Sequence, residues 1–170
     1  MDGDLRAAVA FLEDRPDVTD GRIGGLGLSV GGELLLEAAA GTGSLRAVVS
    51  EGAGIRSIRE TMERTGIARW LGAPQWTVIT GATAVLANRG PPPNLKNLVG
   101  LVSPRPVFLI QATHGQGGEE LNAVYYAAAG EPRELWEIPD APHTGGLGAR
   151  PEEYERRVIG FFDRALLDAD

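Results

Sequence analysis

The sequence feature that most constrains the fold is a pentapeptide with glycine two residues on either side of a serine, Gly27-Leu28-Ser29-Val30-Gly31. Residues 23–28 form a short apolar run that leads into it, and residues 33–40, rich in alanine and leucine, follow it. This order predicts a strand, a sharp turn and a helix. In so sharp a turn, side chains at the glycine positions would collide with neighbouring elements, and the serine hydroxyl stands exposed above the sheet edge. Ser29 is therefore a candidate nucleophile, and a glycine-rich structural turn is the alternative.

Three further apolar segments alternate with amphipathic ones along the chain. The apolar segments predict strands at residues 47–50, 107–110 and 135–138. The amphipathic segments predict helices at residues 4–13, 94–102, 119–129 and 151–165. Helices that alternate with short apolar strands are typical of βα units. The sequence thus predicts a single α/β domain over residues 1–170, with a mostly parallel sheet flanked by helices.

Residues 67–93 interrupt this alternation. They mix glycine and threonine with apolar residues and end in a run of three prolines, which indicates an irregular excursion. The excursion is a candidate lid or cap over a pocket, and Trp70 and Trp76 either belong to that lid or fill a core. Glycine, proline and glutamine break the most apolar window, residues 70–87, so it lacks the roughly 20 unbroken apolar residues that span a bilayer. We expect no stable membrane insertion.

The charge and composition exclude several classes of function. Asp and Glu outnumber Lys and Arg by 23 to 16, which gives a net charge of −7, whereas binding to a nucleic-acid backbone needs a basic face. The absence of cysteine excludes disulfides, thiol catalysis and cysteine-ligated metals, and two histidines leave little room for a metal site. We expect no cofactor, no metal and no nucleic-acid partner. The acidic first residues lack the pattern of a signal peptide, which predicts a cytoplasmic location.

Four polar residues lie at the ends of predicted strands or in the loops that follow them: Ser29, Glu51, Glu119 and His143. Parallel strands bring their carboxyl ends to one edge of a sheet, so we expect these side chains to cluster there. A histidine beside a serine can act as its general base, and a carboxylate can orient the histidine. The set is therefore a candidate site for nucleophilic catalysis, while a histidine that only caps a loop turn is the alternative for His143.

The chain resembles the α/β-hydrolase family, most closely its dienelactone-hydrolase-like and esterase members. The resemblance rests on the glycine-flanked pentapeptide with Arg22-Ile23-Gly24 before it and Gly32 after it, on Pro104-Arg105-Pro106-Val107, on Asp140-Ala141-Pro142-His143, and on residues 154–162. It implies that His143 takes the proton of Ser29, which attacks an acyl carbonyl, and that water then cleaves the acyl-enzyme. It also implies that the Val30 backbone N–H stabilises the oxyanion. The expected substrates are small acyl or lactone esters.

The acid of the site is the first departure from the family pattern. The family usually places an aspartate after the strand that residues 107–110 resemble, where this chain has Thr113-His114-Gly115. Glu119 lies beyond a glycine-rich loop long enough to fold back, and it is the preferred orienting acid, although a helix dipole alone favours an acid in a first turn. Glu51 is the next candidate, followed by Glu120, Asp140 or no acid. His114 is interpreted as a solvated loop residue rather than a ligand or base.

The second departure is at the front of the chain. The family has several strands before the serine turn, and the loop after one of them supplies a second oxyanion N–H. Only a short helix is predicted here, so the chain resembles the C-terminal half of the fold and leaves the strand at residues 23–28 on an open edge. A missing N-terminal segment or a second copy in a homodimer is the expected partner of that edge. The alternative function is a truncated, non-catalytic domain that acts by association through it.

Overall fold

A computed structural model describes residues 3–19, 21–41, 43–88, 90–113, 115 and 117–167. The strands are β1 (Gly24–Leu28), β2 (Ala47–Glu51), β3 (Val107–Ala112) and β4 (Arg133–Ile138). The helices are α1 (Gly3–Glu13), α2 (Val30–Gly41), α3 (Ile58–Thr61), α4 (Ala68–Ala87), α5 (Leu95–Val99), α6 (Asn122–Ala128), α7 (Gly146–Ala149) and α8 (Pro151–Leu166), with a turn of 3₁₀ helix at Glu119–Leu121 before α6. The four strands and the main helices confirm the alternation in the sequence.

The sheet is four-stranded, wholly parallel and ordered β1-β2-β3-β4. In its register Leu28 lies opposite Glu51, and Glu51 lies opposite Ile110. The carboxyl ends of β1, β2 and β3 are therefore level, which brings the loops after them to one edge of the sheet. The predicted α/β fold with a parallel sheet is confirmed.

Every residue of β2 and β3 is buried, because helices cover both faces of these strands. Alternate residues of β2 point to opposite sides, and so Val48 packs into a core with residues of α2, α5 and α6, while Val49 packs with residues of α8. In contrast, Leu26 and Leu28 of β1 are 45% and 48% exposed. Within the described residues β1 has a neighbour on one side alone, as predicted for an open edge.

The prediction of an irregular excursion at residues 67–93 is wrong for residues 68–87, which form the regular 20-residue helix α4 with Pro74 inside it. A role of this segment as a lid or cap stays a prediction. Residues spaced by four, among them Gly72, Trp76 and Thr80, are partly buried and make one contact face, and this packing overrides the weak helix propensity of glycine. Trp76 packs against the core, whereas Trp70 is 59% exposed and does not. Within the described residues no helix is long and apolar enough to cross a membrane.

Candidate active site

Ser29 stands on a strained turn between β1 and α2. Its φ of 52° is in the left-handed region, which a residue other than glycine adopts at a cost of about 1–3 kcal/mol. Two hydrogen bonds hold it there: the Ser29 N–H donates to the Glu51 carbonyl over 2.7 Å, and the Glu33 N–H donates to the Ser29 carbonyl over 3.2 Å. The turn predicted from the pentapeptide is therefore present, with the serine at its apex.

The glycines around Ser29 have unequal importance. A Cβ at Gly27 would lie 2.5 Å from backbone atoms of Gly31, so this position admits glycine alone. A Cβ at Gly31 would meet nothing within 4 Å, so the prediction that both flanking glycines prevent a collision is wrong for Gly31. The second close approach belongs to Gly32, whose Cβ would lie 2.3 Å from the Ser50 hydroxyl. The first turn of α2 thus packs directly on β2.

The structure brings Ser29, His143 and Glu119 into one hydrogen-bonded chain. The Ser29 hydroxyl lies 3.0 Å from Nε2 of His143, and Nδ1 of the same ring contacts Oε1 of Glu119. With the proton of the neutral imidazole on Nδ1, that nitrogen donates to the carboxylate, and Nε2 is left as an acceptor for the hydroxyl proton. The arrangement can move a proton from the serine to the imidazole and stabilise the imidazolium that results.

The buried position of Glu119 follows from the loop before it. Its side chain is 1% exposed, and Oε2 accepts a hydrogen bond of 2.8 Å from the Ala112 N–H at the end of β3. A Cβ at Gly115 would lie 2.3 Å from the carboxyl group, and Gly118 has a φ of 93°, so both positions favour glycine. The Glu119 side chain therefore lies back against the end of β3, as the sequence predicted.

The other candidate acids have different partners. The carboxylate of Glu51 accepts hydrogen bonds from the Gly146 N–H and the Tyr154 hydroxyl. Glu120 pairs with an arginine side chain of the loop after α3, and the exposed Asp140 pairs with the arginine before α8. His114 lies outside the described residues. Of the carboxylates considered from the sequence, Glu119 is the one that the structure places against His143.

Val30 is the first residue of α2 and is 60% exposed. The first N–H groups of a helix have no acceptor within it, and the helix dipole favours negative charge at this end. The Val30 N–H is therefore a donor next to the serine. The side chain of His143 is 37% exposed, so the described part of the site opens to solvent on the imidazole side.

Loop residues 52–56, which the sequence did not single out, support the imidazole. A Cβ at Gly52 would lie 3.1 Å from Cε1 of His143, so the loop passes directly against the ring. The loop is held by the Gly54 N–H, which donates to Glu33 over 3.1 Å, and by the Tyr125 hydroxyl, which donates to the Gly54 carbonyl over 2.9 Å. No sequence pattern predicts hydrogen bonds between residues so far apart in the chain. The available signal is general: a polar side chain on the buried face of a predicted helix is expected to have a hydrogen-bond partner.

Glu33 lies one helical turn after Ser29 and is buried. Burial raises the pKa of Glu33, while the Gly54 N–H and the nearby Arg56 guanidinium oppose that shift. Arg56 also pairs with Glu37, so this cation is shared between two carboxylates. Within the described residues no group of three or more His, Cys, Asp or Glu side chains is placed to hold a metal ion.

Comparisons with known proteins are consistent with this architecture. No protein-family model matches the sequence. An uncharacterized protein of Pseudomonas aeruginosa is 26% identical over an alignment that covers 96% of this chain and 58% of that protein. The α/β hydrolase GrgF from Penicillium sp. sh18 superposes with a TM-score of 0.70 at 20% identity, over 96% of this chain and 70% of that one. The chain has the α/β-hydrolase fold.

A dienelactone hydrolase from Anabaena variabilis shares this α/β-hydrolase fold, with a TM-score of 0.63 at 20% identity, over 95% of this chain and 58% of that one. The chain spans less than two thirds of the length of the curated relative that it matches. The predicted resemblance to α/β hydrolases is thus confirmed at the level of fold.

Proposed function

We propose that this α/β-hydrolase chain carries the catalytic residues of a serine hydrolase that cleaves small acyl or lactone esters. The observation that carries the proposal is the hydrogen-bonded chain from Ser29 through His143 to the buried Glu119. Nucleophile, base and orienting acid are each within contact of the next, which is the geometry that acyl transfer requires. The ester class rests on the resemblance to dienelactone hydrolases and esterases.

In the proposed reaction His143 accepts the proton of Ser29 while Oγ attacks the acyl carbonyl. The carboxylate of Glu119 stabilises the imidazolium and holds the ring in the tautomer that leaves Nε2 free. The negative charge that develops on the carbonyl oxygen is stabilised by the Val30 N–H at the start of α2. The imidazolium then protonates the leaving alcohol, and an acyl-enzyme remains on the serine.

Hydrolysis of the acyl-enzyme reverses the roles of these groups. His143 takes a proton from water, the hydroxide attacks the acyl carbonyl, and the proton returns to the serine oxygen as the acid leaves. The His143 side chain is 37% exposed, so water can reach the imidazole. A second oxyanion donor is part of the family pattern, and loss of one such donor lowers kcat by about a hundred- to a thousandfold.

Covalent labelling with a fluorophosphonate probe, read by intact mass, tests the proposal. We expect one adduct on the chain, none on Ser29→Ala and an unchanged adduct on the matched control Ser103→Ala, because Ser103 is exposed and its hydroxyl donates to the Glu131 carbonyl instead. A folded chain that stays unlabelled after prolonged exposure to the probe would overturn the assignment of Ser29 as nucleophile.

A cytoplasmic location stays a prediction of the sequence.

A second candidate function is association through β1. The observation that favours it is the single neighbour of β1 within the described sheet, together with the exposure of Leu26 and Leu28. The partner is a second copy or an N-terminal segment that adds a strand. Sedimentation equilibrium of the chain and of Leu26→Lys tests this idea. A dimer that the charge dissociates supports association, and a folded monomer at high concentration contradicts self-association.

A further inference from the structure

Glu51 is connected to both halves of the candidate site by three hydrogen bonds. Its backbone carbonyl accepts from the Ser29 N–H over 2.7 Å. Its side-chain Oε1 accepts from the Gly146 N–H over 2.8 Å, and Oε2 accepts from the Tyr154 hydroxyl over 2.7 Å. The residue is 3% exposed, so both carboxylate oxygens have partners in a site that solvent does not reach.

Gly146 lies three residues after His143 and is the first residue of α7. A Cβ at this position would lie 2.9 Å from Oε1 of Glu51 and 3.0 Å from the ring of Tyr154. The backbone that follows the histidine is therefore packed directly on the carboxylate, at a distance that leaves no room for a side chain. The turn that contains His143, residues 142–145, is closed by a hydrogen bond of 2.9 Å from the Gly145 N–H to the Pro142 carbonyl.

Tyr154 connects this carboxylate to α8. Burial, together with the Glu51 carboxylate, raises the pKa of Tyr154, so the phenol stays protonated and remains a donor. Its ring is 5% exposed and packs beside Trp136 of β4. The carboxylate thus accepts one hydrogen bond from the histidine loop and one from the helix that follows that loop.

We propose that Glu51 is a positioning residue, which fixes the loop of His143 relative to Ser29 through its contacts with Gly146 and Tyr154. The proposal rests on the proposed function, because it concerns the geometry of that same site. A misplacement of a reacting group by about 1 Å can lower a rate by about a hundredfold. Glu51 sets this geometry without contact to the substrate, and it leaves the role of acid to Glu119.

The test compares Glu51→Leu and Glu51→Gln with Asn94→Ala as a control. Asn94 is also buried and its side chain accepts from a backbone N–H, that of Lys96, but it lies before α5 and, within the described residues, hydrogen-bonds to neither the histidine loop nor residues 51–56. Each variant is assayed for folding by circular dichroism, and for the maximal rate and half-saturation of fluorophosphonate labelling. Proton NMR of the His143 Nδ1–H in its contact with Glu119 gives a readout of ring position that does not depend on activity.

We expect Glu51→Leu to lower the maximal labelling rate by about a hundredfold with little change in half-saturation, and to shift or broaden the His143 Nδ1–H signal. Glu51→Gln keeps an oxygen for the Gly146 N–H, so we expect a smaller fall. Asn94→Ala removes the cap of α5 and lowers the melting temperature, but it leaves the His143 signal unchanged and the labelling rate of the folded protein within about threefold of the unchanged chain.

An unchanged rate and an unchanged His143 signal in folded Glu51→Leu would overturn the proposal. If Glu51→Leu does not fold, Tyr154→Phe removes a single hydroxyl, and a shifted signal with a reduced rate supports the proposal, while no change overturns it. If the unchanged chain is not labelled at all, the proposed function fails. The NMR comparison then still decides whether Glu51 positions the ring.

Discussion

Two regions of the molecule, the loop layer and helix α4, are held by different kinds of contact. The loop layer, residues 51–56, 117–122 and 143–146, is fixed by hydrogen bonds between side chains and backbone, among them Asn122 to the Ala53 carbonyl over 2.7 Å. Helix α4 packs along one face, which includes Gly72 and Trp76, and Thr80 on that face accepts a hydrogen bond of 3.3 Å from the Ile58 N–H. Its outer face is apolar, with Val85 80% exposed.

The difference indicates where this chain requires an accurate geometry. Proton transfer between Ser29 and His143 requires that their separation is held to within about 0.5 Å. Hydrogen bonds from several directions fix the backbone of the loop layer and so hold this separation. None of the hydrogen bonds described above joins α4 to Ser29 or His143, so we expect substitutions on its outer face to leave the serine and the imidazole in place. The following predictions test this contrast.

The largest expected effect is on catalysis. Glu119→Gln removes the charge that stabilises the imidazolium and allows the wrong tautomer of His143, so we expect kcat to fall by about ten-thousandfold. The matched variant in α4, Thr80→Val, removes one weak hydrogen bond and should change kcat less than about twofold. Steady-state kinetics with a small activated ester measure both. If Glu119→Gln lowered kcat by less than tenfold, the contrast between the loop layer and α4 would be contradicted.

Matched glycine substitutions test stability in the two regions. A Cβ at Gly54 would lie 2.5 Å from the Gly117 carbonyl, so Gly54→Ala must displace a backbone and should destabilise the protein by about 1–3 kcal/mol. A Cβ at Gly81 in α4 would meet nothing within 4 Å, so Gly81→Ala should stabilise the protein by about 0.5–1 kcal/mol. Urea unfolding measures both changes. If both substitutions changed the free energy of unfolding in the same direction, the contrast between the loop layer and α4 would be contradicted.

The pH dependence of stability should reveal the buried carboxyl of Glu33. Its pKa is raised above the ordinary glutamate value of 4.5, mainly by burial. Between the unfolded and the folded pKa the native state holds a proton that the unfolded state has lost, so this group makes the free energy of unfolding fall as the pH rises through that window. Glu33→Gln removes this contribution.

The stability of Glu33→Gln relative to the unchanged chain should therefore increase as the pH rises from below 4.5 towards neutrality. Urea unfolding at a series of pH values measures the difference. Glu120→Gln is the control, because its carboxylate is exposed and pairs with Arg64 at the surface. A pH-independent difference between Glu33→Gln and the unchanged chain would show that the proton on Glu33 is not linked to folding.

The smallest expected effect concerns the outer face of α4. Leu86 is 87% exposed, so Leu86→Lys should change the free energy of unfolding by less than about 0.5 kcal/mol. Thermal unfolding at low and at high protein concentration measures it. A larger loss that grows with concentration would show that the apolar face of α4 is covered in solution, which would remove the contrast with the loop layer.

The sequence was sufficient to predict the sheet and the serine turn, because both depend on local periodicity and on glycine. It did not predict α4, since glycine, threonine and proline lower helix propensity, whereas the contact of Trp76 with the core stabilises the helix. It also assigned Gly31 a role that belongs to Gly32, because the close approach to Ser50 depends on how α2 lies on β2.

The sequence by itself determined that Ser29 stands between a strand and a helix and that His143 and several carboxylates follow strands of a parallel sheet. Only the tertiary structure decided which carboxylate meets the imidazole. Glu51 and Glu119 both lie at the same edge of the sheet. Glu119 contacts His143 and the Ala112 N–H, whereas Gly146 and Tyr154 donate to Glu51. Contacts between residues so distant in the chain depend on packing, which no local pattern encodes.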